Sequence, residues 1–309
     1  MAAKRRKKSP ILTILAFLVA LVLVGFGVYN GTIELPFLES ETEGGQHDLA
    51  DPALVPEDGE VYFHFIDVGQ GDAILITTPD GNMLIDTSVS SARDELTAYL
   101  AKVGVTELEY LVLTHPDADH IGNADYIINN YPIKKILLPD FAATTKTYER
   151  MLTAMENSEA EVICPAPGEY YDLGALRNMI IAPCEEYKDP NEMSIVIKSI
   201  YGNTSVMLTG DAEVESEGDI VKAWKAEDLK ADILKVGHHG SSTSTTDAFF
   251  AAVDPTIAVI SCGEGNTYGH PHTETIDKLT EKGVEIYRTD LEGDIVFRTD
   301  GERFTLIGE

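Results

Sequence analysis

Cysteine is scarce in this chain. There are three in 309 residues, Cys164, Cys184 and Cys262, an odd number at wide spacing. That fits neither a disulfide framework nor a paired-cysteine metal site, and the three read as small buried apolar residues. Basic residues are scarce as well, with 23 Lys and Arg against 52 Asp and Glu and a formal net charge of −29. Five of the basic residues are Lys4, Arg5, Arg6, Lys7 and Lys8, ahead of the first acidic residue, Glu34. From residue 31 onward, 52 acidic residues therefore face only 18 basic ones. Such a surface repels nucleic acid and anionic lipid at long range. An anionic substrate has to be drawn in locally, by a metal or a small basic pocket. No internal repeat is present, and low complexity beyond the linker described below is confined to the Ser/Thr run at 241–246. At 44% hydrophobic, the chain has material for a sizeable core, which excludes disorder as its main state.

The one long hydrophobic run lies at 11–29, 19 residues without a charge, directly after the basic cluster. A helix of that length spans about 28 Å, close to the hydrocarbon thickness of a bilayer. Positive flanks stay on the cytoplasmic side. The reading is a basic cytoplasmic segment at 1–10, an uncleaved transmembrane anchor at 11–29, and a chain that continues outside the cell. A cleaved signal peptide is the competing reading, but its apolar region is usually shorter and no Ala-x-Ala site follows. Residues 30–59 carry eight acidic residues, no basic ones, three prolines and the pair Gly44-Gly45, the composition of a flexible acidic linker.

Residues 60–309 alternate strands and helices. Strands are predicted at 61–66, 73–78, 83–85, 110–113, 135–138, 176–182, 194–200, 205–208, 232–236, 256–261, 294–298 and 303–307. Helices are predicted at 92–103, 121–130, 144–155, 214–224, 246–252 and 273–282. The alternation implies sheets covered by helices, and the early hairpin-like strands argue for two mixed sheets over one parallel sheet.

The residues that carry chemistry fall at strand ends. His115-Pro116-Asp117-Ala118-Asp119-His120 follows the strand at 110–113. Pro116 blocks a helix there, so the polar side chains splay from a loop, and Asp117 beside Asp119 calls for a balancing cation. Helix capping by Asp119 would not require two flanking histidines. Thr209-Gly210-Asp211, Val236-Gly237-His238-His239-Gly240 and Tyr268-Gly269-His270-Pro271-His272 also follow strands. Six of the eight histidines thus sit in three loops. His64 lies within a strand and reads as a core residue.

These segments together resemble the metallo-β-lactamase fold superfamily, and within it the soluble hydrolase domain of ComEC-type competence proteins. The resemblance covers residues 60–309. It rests on Phe65-Ile66-Asp67-Val68-Gly69-Gln70-Gly71-Asp72-Ala73, the His115 to His120 motif, Asn191-Glu192-Met193-Ser194, Leu208-Thr209-Gly210-Asp211, Lys235-Val236-Gly237-His238-His239-Gly240-Ser241 and Tyr268-Gly269-His270-Pro271. It implies an α/β fold, a four-layer αββα sandwich, with a dinuclear metal site along one edge. By the same resemblance, His115 and Asp117 belong to the first metal, with Asp117 where a second His is usual. Asn191 stands near the place of the third His. Asp119 and His120 belong to the second metal, and Asp211 bridges. One of His238 and His239 completes the second site. Spacing does not decide between them, and the lean is to His238, nearer the strand end. Asp119 is also an orienter or proton acceptor for water, His270 contacts substrate or leaving group, and Lys235 steadies the site or a phosphate. Asp67, Gln70 and Asp72 shape the turn behind the ligands.

The implied function is a membrane-anchored, extracellular hydrolase with two divalent metal ions, manganese or zinc, acting on phosphodiesters. A nuclease acting in DNA uptake, an esterase of choline-phosphate or teichoic-type cell-surface esters, and a non-catalytic metal-binding surface module are the alternatives. The oxygen-rich first site favours manganese. No protein partner is implied. The topology is directly testable: protease added to intact cells is expected to remove the large domain. Full protection in cells with an exposed surface would overturn the orientation.

Overall fold

Period-two patterning in the strands sends side chains into different cores. In β1 (Val61–Phe65), Val61, Phe63 and Phe65 face one side, while Tyr62 faces the other with His64. The computed structural model describes residues 50–308. The basic segment and the apolar run expected to form the anchor lie outside the described residues, with most of the linker. Among the described residues, no helix is long and apolar enough to cross a membrane.

β1 pairs antiparallel with β2 (Ile74–Thr78), which pairs antiparallel with β3 (Gly81–Ile85). β4 (Leu108–Val112), β5 (Ile133–Leu137) and β6 (Glu161–Ile163) continue in parallel. The second sheet begins with antiparallel β7 (Arg177–Ala182), β8 (Val196–Tyr201) and β9 (Thr204–Leu208). It goes on in parallel through β10 (Ile233–Lys235), β11 (Ile257–Ile260) and β12 (Glu285–Arg288). β13 (Ile295–Thr299) and β14 (Phe304–Ile307) return to flank β1. The result is two mixed sheets, of eight and six strands among the described residues.

Phe63, Phe65, Ile74, Val112, Ile197, Leu208 and Phe297 form the core between the sheets. On the outer face of the larger sheet lie α1 (Arg93–Val103), α2 (Ala118–Ile121), α3 (Ala124–Asn130) and α4 (Lys146–Glu156), packed through residues such as Leu96, Ile127 and Met151. On the outer face of the smaller sheet lie α5 (Val214–Ala223), α6 (Ala226–Leu229), α7 (Asp247–Val253) and α8 (Thr273–Glu281), packed through Ile220, Leu229, Phe249 and Leu279. A last short helix, α9 (Thr289–Glu292), follows β12. This is the expected αββα sandwich.

Local details differ from the expectation. The helix predicted at 121–130 is two helices, broken at Asn123, whose side-chain amide donates to Thr87 O (2.9 Å) and Val89 O (2.7 Å). β6 and β12 escaped the periodicity because they are short and lie at sheet edges. Ordered packing begins before residue 60: the Asp51 N–H donates to Lys102 O (2.8 Å) and Leu54 is buried against the outer core. His64 is a core residue, with its ring between Tyr99 Oη (2.9 Å) and Thr77 Oγ1 (3.1 Å).

Lys235 ties the two sheets at one edge. Ile233 faces the middle core, and Lys235, two residues on, faces the same way at the strand end. It is fully buried, with Nζ 2.8 Å from Asp72 Oδ2 in the β1–β2 loop. Burial alone would raise the Asp72 carboxyl, but Lys235 and His239 outweigh it and hold the group well below the usual range. Removing one partner of such a pair strands a buried charge. Lys235→Met, which keeps the stem, is therefore expected to cost about 3–5 kcal/mol in urea unfolding. An unchanged midpoint would show that the pair does not hold the sheets.

Candidate metal centre

The C-terminal ends of β3, β4, β9, β10 and β11 meet at this edge, each delivering a polar loop. After β3, Asp86 takes a positive φ of 61°. Its carboxylate accepts from the Thr114 N–H (2.8 Å), the Thr114 hydroxyl (2.7 Å) and His120 Nδ1 (2.7 Å). The loop after β4 carries His115 and α2, which begins after Pro116 and holds Asp119 and His120. Close approach of backbones sets its place. A Cβ on Gly71, at a φ of +133°, would strike Asp119 O, and one on Gly122 would strike Ser88 O.

Asp211, after β9, stands at the centre. From its Oδ2, His120 Nε2 is 3.3 Å away, His239 Nε2 3.5 Å, His238 Nε2 3.7 Å and His115 Nε2 4.0 Å. His239 Nε2 is also 3.4 Å from Asp119 Oδ2. Behind the rings, the Nδ1 atoms are held by protein. His120 donates to Asp86, His239 donates to Ser261 O (3.0 Å), and His115 lies against Thr114 Oγ1 (3.1 Å) and Ser194 Oγ (3.4 Å). A ring whose Nδ1 carries the proton presents a bare Nε2 lone pair. Nε2 of His115, His120 and His239 and Oδ1 of Asp211 are all buried without a hydrogen-bond partner. Two overlapping triads, His115–His120–Asp211 and Asp119–His120–His239, each bring ligand atoms within 4.8 Å of one another. Such orphaned nitrogen and carboxylate donors fit divalent metal ions.

The electrostatics point the same way. Burial disfavours a charged His120, but Asp211 and Asp86 reverse this and raise it well above its ordinary value. His239 is likewise opposed by burial yet raised to about 10 by Asp211 and Asp119. Burial would lift Asp211, and the surrounding histidines hold it well below the usual range. His115 is pulled down to about 3 by burial and by His120. The carboxylates around His120 and His239 thus make this a position that favours positive charge, as a divalent cation would supply.

Of the two adjacent histidines, His239 enters the cluster, which corrects the lean to His238. Both take positive φ, 47° and 52°, a tight turn that aims them apart. His239 is buried. His238 is partly exposed and donates from Nδ1 to Glu213 Oε1 (2.6 Å), although its Nε2 stays near Asp211. Lys235 cannot meet a phosphate, because it is buried on Asp72. Asp117 caps α2 without a capping bond and lies outside the triads. Its carboxyl is raised first by burial and then by Asp119. Asn191 keeps a buried Oδ1 without a partner. Asp119 is partly exposed; burial would raise it, but His239 and His120 hold it at about 2. His270 lies beside the cluster, its ring 5.3 Å from that of His238, with a buried Nδ1 that lacks a partner.

Asp86 and Glu213 were missed by sequence reasoning. Asp86 had one usable signal: it ends a strand just before the one that carries the histidine motif. Glu213 had none, since it reaches His238 only through the fold.

Residues 66–264 match the metallo-beta-lactamase superfamily. The chain is 32% identical to ComE operon protein 3 of Bacillus subtilis over 80% of its own length and 34% of that protein's. It is 30% identical to competence protein ComA of Neisseria gonorrhoeae, again over 80% of its length and 33% of the relative's. It thus spans about a third of the length of these curated relatives. Among solved structures, the metallo-beta-lactamase fold protein YhfI of Bacillus subtilis matches with a TM-score of 0.53 at 13% identity, over 77% of this chain and all of that one (100%), a likeness of fold alone. The αββα sandwich, the buried His/Asp cluster at its strand ends and these matches agree: the chain belongs to the metallo-beta-lactamase superfamily and is a distant relative of the competence proteins.

Proposed function

We propose that the chain is a membrane-anchored, extracellular, metal-dependent hydrolase of phosphodiesters. One observation carries the metal-dependent hydrolase: the buried, unpartnered Nε2 atoms of His115, His120 and His239 around Asp211. The anchor and its orientation rest on the apolar run at 11–29 and the basic cluster before it. His115 and Asp211 would hold one divalent ion, with Asp117, which borders the cluster outside the triads, and Asn191 Oδ1 as further oxygens. Asp119, His120, His239 and Asp211 would hold the second. When bound, such a pair supplies positive charge to phosphate oxygens and an acidified water.

The rest is the work of the protein's own groups. Asp119, partly exposed at the cluster and held ionised by His239 and His120, orients water through a carboxylate oxygen. Asp86 and the Ser261 carbonyl fix the ring orientations of His120 and His239. His270 is drawn down to about 4 by burial and by His238, so near neutral pH its uncharged ring offers an N–H to a substrate oxygen. With Lys235 occupied by Asp72, that lysine is not available to phosphate charge, which favours recognition by metal over recognition by a basic wall. The relatives named for competence support DNA as one phosphodiester substrate. The non-catalytic module rests on the missing His at Asn191, and it predicts bound metal without turnover.

Asp211→Ala and His120→Ala are expected to lower hydrolysis of bis(p-nitrophenyl) phosphate by at least about 100-fold, with metal content falling and circular dichroism unchanged. Asp86→Asn, which disturbs the support of His120 and the bonds to Thr114 while leaving every proposed ligand in place, is expected to cost about 10–100-fold. Near-wild-type turnover in either alanine variant would sink the two-metal reading.

The donor set also predicts the metal. The first site offers one imidazole and several oxygens, which suits manganese better than zinc. Metal-stripped protein reconstituted with manganese is expected to exceed the zinc form in activity, and Asp117→His to shift the preference toward zinc. Two tightly held zinc ions with no gain from manganese, by elemental analysis and assay, would refute the ligand argument.

A further inference from the structure

Tyr268 is a large aromatic side chain left 64% exposed, beside the cluster rather than on a remote surface. One face of its ring lies on His270, with centroids 5.7 Å apart and planes 22° from parallel. His270 in turn packs near His239, at 6.2 Å and 29°. A short series of rings therefore leads from a proposed metal ligand to an aromatic face open to solvent. The loop that carries it is braced by a single side chain. Asn266 Oδ1 accepts from the N–H groups of Tyr268 (3.2 Å) and His270 (3.0 Å). Its amide nitrogen donates to Gly263 O (3.0 Å) and His270 O (2.5 Å). Tyr268 is thus held in place while exposed, the arrangement of a preorganised contact.

The charge of the chain narrows what that face can take. With 52 acidic residues against 23 basic ones, little affinity for a polyanion can come from ion pairing with phosphates. Base–aromatic stacking is uncharged and needs no lysine or arginine. We infer that the Tyr268–His270 stack is a platform for an unpaired nucleobase, so that the phosphodiester presented to the cluster belongs to single-stranded nucleic acid. This rests on the phosphodiesterase reading and adds the substrate class to it. Duplex DNA, whose bases are stacked inside, gains nothing from the platform.

The test compares binding by the full chain, in mild detergent with calcium as the metal, of two labelled strands: oligothymidine and an abasic strand of equal length. Fluorescence anisotropy is expected to show wild type binding the base-bearing strand about tenfold more tightly than the abasic one. That ratio should change little with salt. Tyr268→Phe is expected to keep it, and Tyr268→Ala and Tyr268→Leu to bring it near one, with thermal unfolding as the check on folding. Equal binding of both strands by wild type, or an unchanged ratio in the folded leucine variant, would overturn the platform. So would choline displacing oligothymidine as well as thymidine does, since the face would then serve an ammonium group. A base preference without cleavage of any phosphodiester would instead sink the hydrolase reading and leave the platform standing.

Discussion

The buried ion pair between Lys235 and Asp72 is the contact on which the geometry of the site depends. It joins the end of β10 in one sheet to the β1–β2 loop of the other. Asp72 reaches further than its partner: its N–H donates to Asp119 O (3.1 Å), its carbonyl accepts from the Ser88 N–H (2.9 Å), and its carboxylate lies 3.4 Å from His239 Nδ1. One residue therefore touches the histidine loop, the loop after β3 and the ring that completes the second triad. A buried pair of this kind contributes little net stability against an apolar replacement, but it is costly to break by halves. Its value here is positional, because the two sheets share no strand and their relative placement decides whether Asp211 meets His120.

Around that anchor, the chain accepts local strain to aim its side chains. Asp86, Ser88, His238 and His239 all adopt positive φ, which residues with a Cβ rarely do. Each lies where a strand exits into the site. The strain is offset by bonds the turns make possible: Asp86 on Thr114 and His120, and His239 on Ser261 O. The hydrogen bonds that Asp86 and Ser261 O accept also select tautomers, leaving Nε2 of His120 and His239 bare toward Asp211. The cluster is thus built as much by the groups behind the rings as by the ligand atoms.

Local chemistry would also reconcile an acidic protein with the proposed phosphodiester substrate. A field of like charge works against long-range capture. Recognition of that proposed substrate would rest on short-range terms: cations that the His/Asp cluster would hold, an N–H of His270, and the flat face of Tyr268. All three are concentrated at one sheet edge, within a few residues of one another in space though far apart in sequence.

Much of this was legible in the chain itself. Period-two strands and helical stripes pointed to two mixed sheets covered by helices, because alternate faces must be buried, and the family resemblance supplied the four-layer αββα order. The motif from His115 to His120 pointed to a candidate metal site, since a helix-capping loop would not require two flanking histidines. What sequence could not decide was which groups meet. His238 and His239 are neighbours with identical chemistry, and only two left-handed residues in succession turn one inward and the other toward Glu213. Lys235 read as steadying either the site or a phosphate until the register of β10 placed it against Asp72. Asp86 and Glu213 contact histidines 34 and 25 residues away in sequence, so their roles arise from strand order and not from spacing. Residue types and periodicity determine what chemistry an edge can carry, while the pairing of sheets decides which atoms carry it.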